Sequence, residues 1–153
     1  MLKSWMVIAG VVFAIALVAN VIRPKDVKWF RRLQRPSWLT FEKLIPVIWS
    51  VVFVCGGWSA YIVWEKAPSW AESGGWMAAY ILLELVTVAF TPTLLWSHNL
   101  KLGSYVGGAG FVVSLVLALS LLSVSGAAAA LLIPYLLWSP IGTLTTWQMD
   151  KLN

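Results

Sequence analysis

Residues 102–149 read LGSYVGGAGFVVSLVLALSLLSVSGAAAALLIPYLLWSPIGTLTTWQM, a run of 48 positions without Asp, Glu, Lys or Arg. As one helix it would be about 72 Å long, more than twice the roughly 30 Å of a bilayer core. It must therefore fold back on itself. Ser123, Ser125 and Gly126 are its only small polar cluster, so the turn is expected there, giving helices over 102–122 and 127–149. Working outward, three further stretches are long enough to cross: 5–22 and 44–64 carry no charge, and 75–96 carries only Glu84. The expected fold is all-α, a single domain over 1–153 made of five transmembrane helices, with a basic loop at 23–43. Helices suit lipid because every backbone amide is paired within its own segment.

Composition agrees with this reading. The chain of 153 residues is 60% hydrophobic and 11% charged, with a mean hydropathy of +0.82, far from the soluble range. Lys3 ahead of an apolar stretch resembles a secretory signal peptide. The uncharged stretch is longer than a usual signal core, however, and the basic residues follow it, so a retained helix is expected. Seven of the eleven Lys and Arg residues fall in the first loop: Arg23, Lys25, Lys28, Arg31, Arg32, Arg35 and Lys43. With five crossings that loop shares a side with Lys101 and Lys151. The expectation is a cytoplasmic loop and C-terminus and an outer N-terminus. The net charge of +5 flanks helices and meets anionic headgroups, so no nucleic-acid partner is expected.

The lone Cys55 and lone His98 leave no disulfide within the chain and no metal cluster, and no nucleophile triad or phosphate loop occurs. No cofactor is expected. The unusual feature is eleven Trp. About half lie near expected helix ends, where an interfacial belt accounts for them. Others recur at helical spacing. Trp49, Phe53, Gly57, Ala60 and Trp64 share one face of the second helix, and Leu131, Tyr135, Trp138, Gly142 and Thr145 share one face of the fifth. Tyr80, Glu84, Thr87, Thr91 and His98 form a polar stripe on the third helix that is unsuited to lipid, with Glu84 either a site residue or a hydrogen-bonded link between helices. Aromatic walls with few polar groups suit a flat hydrophobic ligand, a tetrapyrrole or a sterol. On the fourth helix, Gly103, Gly107 and Gly110 form a small-residue stripe that fits either a homodimer interface or a close contact within the bundle.

These residues carry a resemblance to the tryptophan-rich sensory protein/translocator protein family, also called the peripheral benzodiazepine receptor family. Trp29-Phe30-x2-Leu33-x2-Pro36-Ser37-Trp38 is similar to its W-Y-x2-L-x2-P-x-W element. Phe90-Thr91-Pro92 with His98-Asn99 resembles its third-helix region, and Leu131 to Trp138 is close to its L-L-x-P-Y-x-x-W. Departures include Thr40-Phe41 for Pro-Pro, Thr87 for Asn, Phe90 for Trp, Gly142-Thr143 for Ala-Thr, and Trp147 for the tyrosine of a proposed cholesterol motif. The last makes a porphyrin a better match than a sterol. The resemblance implies a membrane receptor or sensor that binds a porphyrin-class ligand inside the bundle, in stress response, regulation or transport. It implies Trp38 as a lid, Trp49, Phe53 and Trp138 stacking on the ring, Tyr135 and Thr143 offering hydrogen bonds, and Glu84, Thr87, Phe90 and Gly142 completing the pocket. Arg31, Arg32 or Arg35 would meet either ligand carboxylates or lipid headgroups. Two alternatives stay open: porphyrin degradation by photochemistry at Trp49 and Trp138, and a transporter. The family's bacterial members also imply a homodimer through Gly103, Gly107 and Gly110.

Overall fold

The computed structural model describes residues 2–19 and 21–153. Among these the chain is helical, with seven α-helices and no strand: α1 Ser4–Ala19, α2 Pro24–Arg32, α3 Ile45–Lys66, α4 Trp70–Ser97, α5 Leu100–Leu121, α6 Gly126–Ala130 and α7 Ile133–Leu152. Four apolar stretches are long enough to cross a membrane, namely α3 with the 3₁₀ turn before it, α4, α5, and α6 with α7, and the shorter α1 completes a five-helix bundle. Many of the exposed residues are large and apolar, such as Val54, Leu119 and Leu137, as a lipid surround requires. The first helix, expected over 5–22, is described to Ala19; position 20 lies outside the described residues, and 21–23 are not helical.

Helix ends follow local chemistry. Ser69 caps α4 by accepting from the amide of Glu72 at 3.2 Å, so this helix begins at Trp70, a turn and a half earlier than the expected 75. His98 takes the left-handed conformation (φ 50°) that ends α4, and Asn99 caps α5 through the Leu102 amide at 3.1 Å. The fold-back falls where the small polar cluster put it, with Ser125 capping α6. Two corrections follow. The fifth crossing is not one helix over 127–149: it breaks at Leu131–Leu132 and restarts with Pro134 in the first turn of α7, where its missing N–H costs nothing. Nor is 23–43 all loop. Pro24 opens α2, Asp26 sits in its first turn, and Arg31 and Arg32 in its last, an order that complements the helix dipole.

Packing centres on α5, which lies against α4 and α7, while α1 rests on α3 and α4. Glycine makes the close approach possible. A Cβ added at Gly103 would sit 2.8 Å from Leu94 Cδ1, at Gly107 2.5 Å from Thr143 Oγ1, and at Gly110 2.5 Å from the Tyr135 hydroxyl. The glycine stripe is therefore occupied by the chain's own α4 and α7. Of the two roles expected for it, these contacts are the one within the bundle. In lipid, burial of apolar area supplies little association energy, and small residues that let backbones meet supply contact instead.

The loop helix is fastened by a group the sequence reading passed over. Asp26 is fully buried; it accepts from Arg23 Nε at 2.7 Å and from His98 Nε2 at 2.9 Å, and His98 stacks on Trp29 with ring centroids 4.4 Å apart. Burial pushes the Asp26 carboxyl up, but the hydrogen bonds and charges of Arg23 and His98 outweigh it and hold the group below its ordinary value. A folded pKa below the unfolded one means the contact stabilises above the unfolded value and is lost as pH falls through the folded one. Asp26→Asn should therefore lower the thermal midpoint at neutral pH, and the gap to the unmodified protein should close below about pH 4. A gap of constant size down to pH 2 in a thermal-melt series would show that the carboxylate charge is not what holds α2.

Candidate functional site

Trp49, Phe53, Thr87, Phe90, Tyr135, Trp138, Gly142 and Thr143 are brought together as lining of one cavity of about 530 Å³ between α3, α4, α5 and α7. That volume lies within the range of small-molecule sites. Helical spacing aligns Trp49 with Phe53 on α3, with ring centroids 5.8 Å apart, and Trp49 meets Tyr135 of α7 edge-on at 6.2 Å. Trp138, one turn further along α7, is 7% exposed. Gly142 leaves its stretch of wall flat, with open space where a Cβ would be. Phe90 reaches the cavity beside Gly107, its Cε2 3.7 Å from where a Cβ would sit.

Hydrogen bonding sorts the polar groups into spent and unspent. Thr87 Oγ1 lies 2.6 Å from the Leu83 carbonyl and 2.7 Å from the Tyr135 hydroxyl. Because Thr87 has a single proton and a carbonyl only accepts, Thr87 donates to Leu83 and Tyr135 donates to Thr87. The Tyr135 donor, expected to serve a ligand, is thus engaged. Trp138 Nε1 and Thr143 Oγ1 are buried without a partner. Unpaired buried donors are uncommon and costly, roughly 1–3 kcal/mol each.

Two expected residues lie elsewhere. Trp38 does not line the cavity. Its indole N–H donates to Gln148 Oε1 at 2.5 Å, and its ring packs at 6.3 Å on Phe41, which in turn meets Trp138 edge-on at 6.2 Å. Trp38 thus stands outside Phe41, and Phe41, which is not itself a lining residue, reaches the wall only through its contact with Trp138. Sequence reasoning passed over Phe41; its signal was an aromatic where the resembling family has proline. Glu84 faces a second cavity, between α1, α3 and α4, which shares Phe53, Thr87 and Tyr135 with the first. One surface of the polar stripe on α4 therefore serves two spaces.

Of Arg31, Arg32 and Arg35, the arginines expected to meet ligand carboxylates or headgroups, Arg35 reaches the lining. Its Nη1 donates to the carbonyls of Phe30 at 2.8 Å and Leu33 at 2.6 Å, its Nη2 pairs with Glu42 Oε1 at 3.3 Å, and its guanidinium lies 4.7 Å over Phe30. Arg31 and Arg32 are exposed on α2 and are not among the lining residues. Among the described residues no three His, Cys, Asp or Glu gather as a metal site.

Comparison with known proteins bears on this geometry. The sequence model of the TspO/MBR family matches residues 6–152. The tryptophan-rich protein TspO of Bacillus cereus is 27% identical over 153 residues, covering 100% of this chain and 99% of that protein. An uncharacterized membrane protein of Bacillus subtilis, YtaB, is 27% identical over 143 residues, covering 94% and 92%. The translocator protein of Homo sapiens is 25% identical over 149 residues, covering 88% and 80%.

Proposed function

The chain belongs to the TspO/MBR family of membrane proteins, and from that premise we propose that it is a receptor or sensor that binds a porphyrin-class ligand in the cavity between α3, α4, α5 and α7. The observation that carries this reading is an aromatic-walled space in which Trp138 Nε1 and Thr143 Oγ1 are buried and unpartnered. A flat aromatic macrocycle gains dispersion from Trp49, Phe53 and Trp138, and acceptor atoms at its edge meet the waiting donors. Arg35 is the cation within reach of a ligand carboxylate, which would take the place of Glu42 at 3.3 Å. Trp38 and Phe41 close the end of the space, and α2 carries exposed Arg31 and Arg32 toward headgroups.

The same reading puts the loop and the C-terminus in the cytoplasm. Gln34 and Asn153 exchange hydrogen bonds at 2.8 and 3.2 Å, so both lie at one end of the bundle, with the basic cluster. Porphyrin photodegradation is the second reading, supported by two tryptophans, Trp49 and Trp138, on the wall of one cavity.

Titration of the detergent-purified protein with protoporphyrin IX, heme and cholesterol tests the ligand class. Protoporphyrin is expected to quench tryptophan fluorescence saturably and shift its own absorbance band, with cholesterol much weaker. Saturable binding by cholesterol alone would overturn the proposal, and bleaching of the band under light that needs Trp49 or Trp138 would favour the degrading enzyme.

A further inference from the structure

The second cavity, about 160 Å³ in volume, is walled almost wholly by hydrocarbon: Val7, Ile8 and Val11 of α1 face Val52 and Gly56 of α3 and Leu83 of α4. Its hydroxyl groups are all engaged. Tyr80 shares a 2.6 Å hydrogen bond with Ser59, and Thr87 and Tyr135 are bonded to each other. Glu84 makes no hydrogen bond or ion pair among the described residues, and its Oε1 is buried. A carboxyl inside a membrane span is costly unless paired, and such residues face a cavity or a partner. Among the described residues no cation lines this space.

We propose that this cavity binds a small lipophilic amine, with its apolar body against α1 and α3 and its nitrogen on Glu84. A hydroxyl would satisfy one oxygen and leave the charge uncompensated. An amine satisfies both: carboxylate with ammonium, or carboxylic acid with neutral amine, hold the same number of protons and interconvert by moving one across the hydrogen bond. The guest enters from the lipid along α1, which among the described residues packs chiefly on α3 and α4. The shared wall of Phe53, Thr87 and Tyr135 places it next to the larger cavity without making it part of it.

Calorimetric titration of the intact protein in detergent with 1-adamantanamine and its alcohol isostere 1-adamantanol, in the absence of porphyrin, tests this. The amine is expected to bind about tenfold or more tightly than the alcohol, as a charge-assisted contact does. Glu84→Gln should erase that preference and leave alcohol binding as it was. Gly56→Leu adds bulk where a Cβ would meet open space, so it should block both guests with Glu84 intact, a control that does not depend on how Glu84→Gln folds. Equal affinity for the two guests, or an amine preference that survives in Glu84→Gln or Gly56→Leu, overturns the proposal. Protoporphyrin binding is scored separately, so loss of either activity alone identifies which assignment fails.

Discussion

Trp138→Ala is expected to weaken protoporphyrin binding by roughly 5- to 150-fold, the 1–3 kcal/mol of a lost aromatic contact. Three features of Trp138 converge on this size: near-complete burial, an edge contact with Phe41 at 6.2 Å, and an indole N–H with no partner. Truncation removes the stacking surface, the donor and the support of Phe41 together. It also enlarges the cavity, at a cost to stability of about 3 kcal/mol. Trp138→Phe separates these effects, because it keeps most of the stacking surface and deletes only the N–H, so it should fall between the two. Equal affinity of the unmodified and Ala proteins, measured by fluorescence quenching on monodisperse samples, would remove Trp138 from the binding wall.

Gly107→Leu should cost about 3 kcal/mol of stability or more and abolish folding and ligand binding together. Even the first carbon of a side chain there would come 2.5 Å from Thr143 Oγ1, 3.5 Å from Thr143 Cβ and 3.7 Å from Phe90. Thr143 could turn aside for a methyl group, so Gly107→Ala should fold with a reduced midpoint and altered affinity. The leucine has no such escape between α5 and α7. Thermal unfolding followed by light scattering after size exclusion reads both outcomes. A well-folded Gly107→Leu protein that binds porphyrin normally but has lost an oligomer would return the stripe to an interface between copies.

The aromatic cavity was legible because period is a local property. Trp49 and Phe53 four apart on α3, and Tyr135 and Trp138 three apart on α7, share a face on any regular helix, whereas Phe90 and Thr143, which line the same cavity, were expected only through the family resemblance. Asp26 was not legible. Its partner His98 lies 72 positions away, and no local signal marks a carboxylate in a basic segment as buried. The contact of Phe41 with Trp138 was hidden for a similar reason, since it depends on α7 arriving beneath the loop.

From the sequence alone came the crossings, the helical class, the fold-back at Ser123–Gly126 and the stripes each helix presents, because apolar length against bilayer thickness and a fixed helical period suffice for them. Only the tertiary structure decided which stripe meets which: that Gly103, Gly107 and Gly110 receive α4 and α7, that Glu84 faces α1 and not the aromatic cavity, and that Trp58, 60% exposed, turns outward while Trp49 turns in. In water the contrast between apolar and polar faces tells a helix which side is inside. Lipid is as apolar as the core, so that contrast is missing, and the choice passes to close backbone approach and shape, which exist only once the helices are side by side.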